Sequence, residues 1–310
     1  PSRGLGDVYK RQALHWAAGL GHARVVALLL EHGASVGARD TVRGYTPLHA
    51  ACSARGSVAV ATAVLSRAEA TGWHGVPGGI DCADLAGETA LHIAAREARL
   101  DAVADLVALL VGSGAAVGAR SAATGETLLH LLAERGDGVL GGGGGGGDGL
   151  LALLRAQPAL PLDVQTRQGN SPLHVAAFGG AERIATFLAE QGGWVALPNA
   201  DGLCPLDTAQ RTARGTPLAS ALLRSIRKPP HWVRDRLIGA CQLCKAPFAP
   251  SVGTGGGLLL QRKHHCRHCG RCVCASCSPR KMAVAKFGAG GAGQAERVCV
   301  ECEPIVRGGA

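Results

Sequence analysis

The fold of the C-terminal part depends on Gln261-Arg262-Lys263-His264-His265-Cys266-Arg267-His268-Cys269-Gly270, a stretch in which basic and imidazole side chains flank two cysteines. These cysteines form one of four Cys-x2-Cys pairs, which are Cys241 and Cys244, Cys266 and Cys269, Cys274 and Cys277, and Cys299 and Cys302. Eight thiolates in this spacing are the ligand supply of two tetrahedral zinc ions. The sequence therefore predicts a small module that folds around two metal ions.

The positive charge of the chain is concentrated in the same region. Residues 231–310 carry 12 Lys and Arg against 4 Asp and Glu, a balance of +8 out of the formal net charge of +9 for the whole chain. Zinc-bound thiolates lower this balance but leave the module cationic. We therefore expect its partner to be anionic. No apolar run reaches the length of a membrane span, so we expect no transmembrane segment.

A short phrase centred on a histidine recurs through the first 230 residues. Its copies are Ala13-Leu14-His15-Trp16-Ala17-Ala18, Thr46-Pro47-Leu48-His49-Ala50-Ala51, Thr89-Ala90-Leu91-His92-Ile93-Ala94-Ala95, Thr127-Leu128-Leu129-His130-Leu131-Leu132, Ser171-Pro172-Leu173-His174-Val175-Ala176-Ala177 and the degenerate Cys204-Pro205-Leu206-Asp207-Thr208-Ala209. Successive histidines, and finally the aspartate, lie 34, 43, 38, 44 and 33 residues apart. Thr or Ser suits a helix N-cap and Pro suits the first turn, so each phrase predicts the start of a helix.

This period and phrase resemble the ankyrin repeat. The resemblance implies a mainly α solenoid of about six repeats over residues 12–228, with a surface that binds an unidentified protein partner. We interpret the histidines of the phrase as hydrogen-bonding groups within each repeat rather than as metal ligands. Residues 1–11 are interpreted as a non-native or unstructured start. Insertions near 71–79 and at 141–149 are predicted to be surface loops, and the glycine run of the second is predicted to be flexible.

Three classes of zinc module with interleaved cysteine pairs are considered: RING, PHD and FYVE domains. RING and PHD domains need a histidine ligand, whereas the four complete pairs already supply eight thiolates. Three elements resemble the FYVE signature in order, namely Trp232-Val233-Arg234-Asp235, Arg262-Lys263-His264-His265-Cys266-Arg267 followed by Cys269-Gly270, and Arg297-Val298-Cys299. The chain thus resembles an ankyrin-repeat protein with a FYVE zinc finger over residues 229–306. The alternative is a RING-type ubiquitin ligase with ankyrin repeats.

The FYVE resemblance implies a small α+β domain that holds two zinc ions in a cross-brace. The implied ligands of the first zinc are Cys241, Cys244, Cys274 and Cys277. The implied ligands of the second zinc are Cys266, Cys269, Cys299 and Cys302. Such a small, glycine-rich segment has little apolar core, so we expect its folding to depend on the metal.

The same resemblance implies binding of phosphatidylinositol 3-phosphate. The implied headgroup residues are Trp232, Asp235, Arg262, Lys263, His264, His265, Arg267 and Arg297. Among them, Lys263, Arg267 and Arg297 would surround the 3-phosphate. The loop before the basic stretch would dip into the bilayer through Leu258, Leu259 and Leu260.

We find no catalytic constellation in the sequence, and we expect no enzymatic activity. A nucleic-acid partner is not expected, because no aromatic residues interleave with the basic stretch to stack on bases. The sequence therefore predicts a cytoplasmic adaptor, peripheral on early endosomal membranes, with the FYVE domain on lipid and the repeats on a protein.

Overall fold

The computed structural model describes residues 13–53, 55, 57–73, 76–140, 146–212, 215–231, 238–248, 263–284, 287 and 295–308. The proposed non-native start, residues 1–11, lies outside these ranges. The chain divides into two compact units, Pro1–Pro161 and Leu162–Ala310. The described residues of the first unit form helical repeats, whereas the second unit combines further helical repeats with the cysteine-rich module.

The first unit consists of pairs of helices. They are α1 over 13–19, α2 Ala23–Glu31, α3 Pro47–Ala51, α4 Val58–Ala70, α5 Ala90–Glu97, α6 Leu100–Gly112, α7 Leu128–Arg135 and α8 Gly146–Arg155. The short helices α3, α5 and α7 begin at the histidine phrase and pack in one row, while α4, α6 and α8 pack in a second row. Short 3-10 turns at Gly79–Asp81 and Asp137–Leu140 lie between repeats. This two-row arrangement confirms the helical repeat fold.

In four of the repeats, Nδ1 of the phrase histidine accepts the backbone N–H of the Thr or Ser that precedes the helix. In the second repeat the backbone N–H of Thr46 donates to Nδ1 of His49 at 3.2 Å, and the Thr46 hydroxyl lies 2.8 Å from the same nitrogen. The pair Ser171 and His174 repeats this geometry at 3.1 and 2.8 Å. His49, His92, His130 and His174 are buried, so these bonds satisfy polar groups that water cannot reach.

The opposite ring nitrogen reaches the following repeat from four of the histidines, His15, His49, His92 and His174. Nε2 of His49 lies 3.1 Å from the carbonyl oxygen of Glu88, and Nε2 of His174 lies 3.0 Å from that of Leu203. The same bond joins His15 to Tyr45 at 2.8 Å. Because Nδ1 accepts an N–H, Nε2 carries the ring proton and donates it to the carbonyl. The histidine is therefore a link between neighbouring repeats as well as a cap, which extends the interpretation drawn from the sequence.

The glycine-rich insertion differs from the predicted loop. Residues 141–145 lie outside the described ranges, but Gly146 already begins α8 and the remaining glycines form its first turn. Leu150, Leu151 and Leu154 of this helix are buried, and α8 packs against α6. The burial of these leucines supplies the free energy that offsets the poor helix propensity of glycine. The prediction of a loop over 141–149 is therefore wrong for its last four residues.

The second unit starts with two further helix pairs. They are α9 Pro172–Gly179, α10 Glu182–Gln191, α11 Pro205–Arg211 and α12 Gly215–Ser225. The cysteine-rich module then forms two small antiparallel sheets from β1 His264–His265 with β2 Cys272–Val273, and from β3 Arg280–Met282 with β4 Glu296–Val298. Helix α13, Glu303–Arg307, follows the last cysteine pair. Among the described helices, none has both the length and the apolar character required to cross a bilayer.

The buried histidines predict a dependence of stability on pH. Burial lowers the pKa of His49 and of His92 below the ordinary value. The unfolded chain therefore binds protons at a higher pH than the folded repeats do, and the contribution of these residues is present above about pH 6.5 and lost as the pH falls below it. We expect the thermal unfolding midpoint of His49→Gln to fall below that of the wild type at pH 7.5 by the equivalent of about 1–3 kcal/mol.

The difference in midpoint between His49→Gln and the wild type should narrow between pH 7.5 and pH 5, because glutamine does not titrate. Circular dichroism at the helix signal measures both profiles. Exposed His32 supplies the matched control, His32→Gln. Parallel profiles for His49→Gln and the wild type would contradict the prediction.

Candidate functional site

The eight paired cysteines form two separate groups. The first group is Cys241, Cys244, Cys274 and Cys277, and the second is Cys266, Cys269, Cys299 and Cys302. Within each group all Sγ atoms lie within 4.8 Å of one another. The first pair thus joins the third pair and the second joins the fourth, which is the cross-brace that the resemblance implies.

The distances between sulfur atoms fit zinc. The Sγ atoms of Cys244 and Cys274 are 3.8 Å apart, and those of Cys269 and Cys299 are 3.9 Å apart. Four sulfurs at the usual zinc–sulfur distance of about 2.3 Å in a tetrahedron lie about 3.8 Å from each other. All-thiolate donor sets are also the chemistry of structural zinc sites. The residues present therefore fit two zinc ions.

Each Cys-x2-Cys pair makes a tight turn around a metal, here called a knuckle. In each metal group, a backbone N–H from one knuckle donates to the Sγ atom of the first cysteine of the other knuckle. The amide of Cys274 donates to Sγ of Cys241 at 3.4 Å, and the amide of Cys299 donates to Sγ of Cys266 at 3.3 Å. Burial opposes ionisation of the Cys241 thiol, but the surrounding N–H groups lower its pKa to about 7. These bonds prepare the sulfur as the thiolate that zinc requires.

The two groups differ in their exposure to solvent. Cys266, Cys269, Cys299 and Cys302 are all fully buried, whereas Cys244 is exposed and Cys277 is partly exposed. Cys272 belongs to neither group. It is buried, and its backbone N–H donates to Oε1 of Gln242 at 2.7 Å.

A basic groove of about 510 Å³ lies beside the second group. Its lining residues are Lys263, His264, His265, Arg267, Lys281, Ala295, Glu296 and Arg297. The backbone N–H of Arg267 donates to the carbonyl of Arg297 at 2.9 Å, which joins the basic stretch to the last strand. Five of the eight predicted headgroup residues are therefore brought together although Arg297 is distant in sequence. Trp232, Asp235 and Arg262, as well as Leu258, Leu259 and Leu260, lie outside the described residues.

Protein groups orient the cations of this groove. The Lys263 ammonium donates to the carbonyl of Ile238 at 2.7 Å and lies 5.3 Å from the centroid of the Phe248 ring. The Arg297 guanidinium donates to the carbonyl of Ser278 at 2.6 Å. Because each bond uses a donor but leaves the charge in place, these side chains remain attractive to an anion.

Two charged residues of the groove were not predicted from the sequence. Lys281 lies directly across the β3–β4 ladder from Arg297 and adds a cation. Glu296 forms an ion pair with Arg267, in which Oε2 lies 2.6 Å from Nε. The adjacent basic residues at 280 and 281 were a sequence signal for Lys281. The pairing of β3 with β4 was needed to place either Lys281 or Glu296 in the groove. The groove therefore contains a carboxylate that competes for one of its own arginines.

Comparison with protein families agrees with this arrangement. Residues 231–307 match the FYVE zinc finger model. Residues 3–74 match the model for ankyrin repeats in three copies, and residues 86–122 and 168–203 match the single ankyrin repeat.

The chain is also similar to parts of larger proteins. It is 29% identical to mouse Rabankyrin-5 over 134 residues, which are 43% of this chain and 10% of that protein. It is 35% identical to human FYVE, RhoGEF and PH domain-containing protein 4 over 82 residues, 26% of this chain and 9% of that protein. Mouse FYVE, RhoGEF and PH domain-containing protein 2 is 36% identical over 81 residues, 26% of this chain and 10% of that protein. The match thus spans about a tenth of these relatives. The chain therefore contains ankyrin repeats in its N-terminal region and ends in a FYVE zinc finger.

Proposed function

We propose that the protein is a peripheral membrane adaptor whose FYVE domain binds phosphatidylinositol 3-phosphate and whose ankyrin repeats bind another protein. The observation that carries the proposal is the convergence of Lys263, Arg267 and Arg297 on one groove beside the second cysteine group. The likeness of residues 231–307 to FYVE zinc fingers supports the choice of lipid.

A phosphomonoester suits the chemistry of this groove. Its two negative charges are best met by several charge-assisted donors that converge from different directions. Lys263 comes from the segment before β1, Arg267 from the second knuckle and Arg297 from β4. A lipid headgroup with a single negative charge would use fewer of these donors. Asp235 and His265 are proposed to take the inositol hydroxyls, with Trp232, Arg262 and His264 completing the headgroup site.

Glu296 is proposed to tune the selectivity of the site. Its carboxylate occupies Arg267 before lipid binds, so the phosphate has to share or displace it. Both side chains are more than one-third exposed, and a pair so screened by solvent contributes about 0–1 kcal/mol. A single phosphate also contacts several other donors, and these contacts offset the loss of the ion pair between Arg267 and Glu296. A bulkier polyphosphate would meet the carboxylate at closer range.

Zinc is proposed to hold the groove together rather than to touch the lipid. When bound, the two ions cross-link chain segments that share little apolar core. Cys266 and Cys269 flank Arg267, and Cys299 lies two residues after Arg297. The second metal group thus spaces the two arginines, while hydrogen bonds of the backbone orient them.

The membrane contact is proposed to combine charge with apolar insertion. The cationic module is attracted to anionic leaflets, and Leu258, Leu259 and Leu260 are proposed to enter the bilayer. Cytoplasmic location on early endosomal membranes follows from the proposed lipid. The ubiquitin-ligase alternative is disfavoured, because the two described metal groups are built from cysteines and contain no histidine.

Removal of one groove arginine tests the lipid proposal. We expect Arg267→Ala to weaken binding to vesicles containing phosphatidylinositol 3-phosphate by about 10- to 100-fold, the equivalent of one charge-assisted interaction. Vesicle sedimentation with each phosphoinositide in turn measures it. Arg280→Ala is the matched control, since Arg280 lies in the same module but pairs with Glu303 outside the groove. Equal binding of the wild type to all anionic vesicles would overturn the proposal.

Neutralisation of Glu296 tests the role of the competing carboxylate. We expect Glu296→Gln to bind the monophosphate lipid about two- to fivefold more tightly, because Arg267 no longer needs to leave a partner. Binding to polyphosphorylated lipids should rise more, so selectivity should fall. Glu303→Gln serves as the control outside the groove. Weaker binding by Glu296→Gln would instead mean that Glu296 positions Arg267 for the lipid.

The unequal burial of the metal groups predicts two phases of zinc loss. We expect a chelator to remove one zinc quickly from the group that contains exposed Cys244, and the other slowly from the fully buried group. Release can be followed with a colorimetric zinc reagent. Cys244→Ser should lose the fast phase, whereas Cys272→Ser should retain two zinc ions per chain. A single phase of two equivalents would contradict the expected order.

A further inference from the structure

The turns that close the first two zinc knuckles, Cys241 to Cys244 and Cys266 to Cys269, each hold a residue with left-handed backbone. Gly270 has φ of +80° and Lys245 has φ of +61°, and each donates its N–H to the first cysteine of its knuckle, at 2.8 and 2.9 Å. Glycine adopts this conformation without penalty, whereas the Cβ of any other residue disfavours it. A lysine held in this position therefore calls for a compensating contact.

The Lys245 ammonium makes that contact with the last ankyrin repeat. Its Nζ lies 2.7 Å from Oδ2 of Asp207, whose side chain is only 8% exposed. Asp207 stands where the earlier repeats have histidine, and it retains the capping role, because Oδ2 also accepts the N–H of Cys204 at 3.2 Å. In the earlier repeats the histidine donates to the next repeat. Here the carboxylate reaches the zinc module instead.

Other parts of both knuckles reach the same repeats. Nε2 of buried Gln242 donates to the carbonyl of Ala196 at 3.0 Å. At the second knuckle, a Cβ added to Gly270 would come within 2.8 Å of the carbonyl oxygen of His231 and within 3.4 Å of Trp194. Only glycine fits this approach. The two knuckles therefore rest on the second unit's repeats through polar bonds and through close backbone packing.

Arg271 and Glu301 add a further polar connection. The Arg271 guanidinium is completely buried and donates to Oε2 of Glu301 at 2.6 Å. The other carboxylate oxygen of Glu301 accepts a hydrogen bond from Gln210 of α11 at 3.0 Å. A buried charge is tolerated only where its partners are held in place. This chain of bonds therefore requires the repeat and the zinc module to keep one relative position.

We infer that the zinc module is the C-terminal cap of the ankyrin array, joined to it by Asp207 and the two knuckles, so that zinc binding stabilises the last repeats. A solenoid needs a terminal element that covers the open face of its last repeat. The knuckle turns that make the contacts are shaped by the metal, so loss of zinc removes the cap. The contacts use residues outside the basic groove, and the inference does not depend on lipid binding.

Hydrogen exchange measured by mass spectrometry on the full chain tests the inference. With zinc bound, we expect slow exchange in α11 and α12, and chelation should accelerate it about tenfold or more. Helices α5 and α6 of the first unit provide the internal reference and should change little. Equal acceleration in all four helices, or none in α11 and α12, would overturn the inference.

Two variants separate docking from zinc loss. Lys245→Gly removes the ammonium and relieves the left-handed strain, so the module should keep two zinc ions while exchange in α11 becomes about three- to tenfold faster. Asp207→Asn leaves the module unaltered and keeps a side-chain oxygen for the N–H of Cys204, but it loses the charge. The double variant should exchange no faster than the more affected single variant, because both changes remove the same ion pair.

Arg280→Ala is the control within the zinc module and should leave exchange in α11 unchanged. Zinc content is measured for each variant. Unaltered exchange in α11 of Asp207→Asn would overturn the inference, even if Lys245→Gly had lost its zinc. Additive effects in the double variant would likewise show that the two residues do not act through one contact.

Discussion

The interleaving of the cysteine pairs is the constraint on which the C-terminal module depends. Because the first pair joins the third and the second joins the fourth, neither metal group can form until nearly the whole segment is folded back on itself. The strands of this module are only two or three residues long, and they could not hold such a fold by themselves. The cross-brace adds to the few buried apolar side chains described in the module, such as Val273 and Val298, and it spaces the knuckles from which Arg267 and Lys245 project.

The ankyrin repeats are held together by hydrogen bonds of buried histidines rather than by metal ions. A buried histidine closes the start of its own helix with one ring nitrogen and reaches the next repeat with the other, as His49 does with Thr46 and Glu88. His92 and His174 make the same two bonds. Apolar contacts stack the helices, and the histidine sets the spacing between them. The last repeat replaces this neutral donor with the carboxylate of Asp207. A charge then faces the zinc module, where a lysine rather than another repeat is present.

The basic residues of the module thus serve two separate surfaces. Lys263, Arg267 and Arg297 border the groove that is proposed to hold a phosphate. Lys245 and Arg271 are committed to carboxylates of the docked face. The net positive charge of the module therefore overstates the number of cationic side chains that are available to bind a lipid. Glu296 reduces it further, by pairing with a groove arginine.

Several features were determined by the sequence alone. The four Cys-x2-Cys pairs predicted two zinc ions, because coordination requires four thiolates per ion, and the FYVE resemblance implied how the pairs are grouped. Cys272 is the one cysteine of residues 231–310 outside these pairs. The repeated phrase determined the helical starts, because Thr, Ser and Pro act over three or four residues. The insertion at 141–149 was misread, because the glycine run was weighed without the burial of the leucines that follow it.

The tertiary structure alone decided how these pieces meet. Lys281 and Glu296 entered the groove through the register of β3 against β4, which no local signal in such short strands reveals. The ion pair between Asp207 and Lys245 joins residues 38 positions apart in two different modules. Local sequence patterns predict a helix turn or a metal knuckle, because the residues that stabilise these structures lie within a few positions of one another. The docking of one module on another depends on side chains whose partners are brought near only by the complete fold.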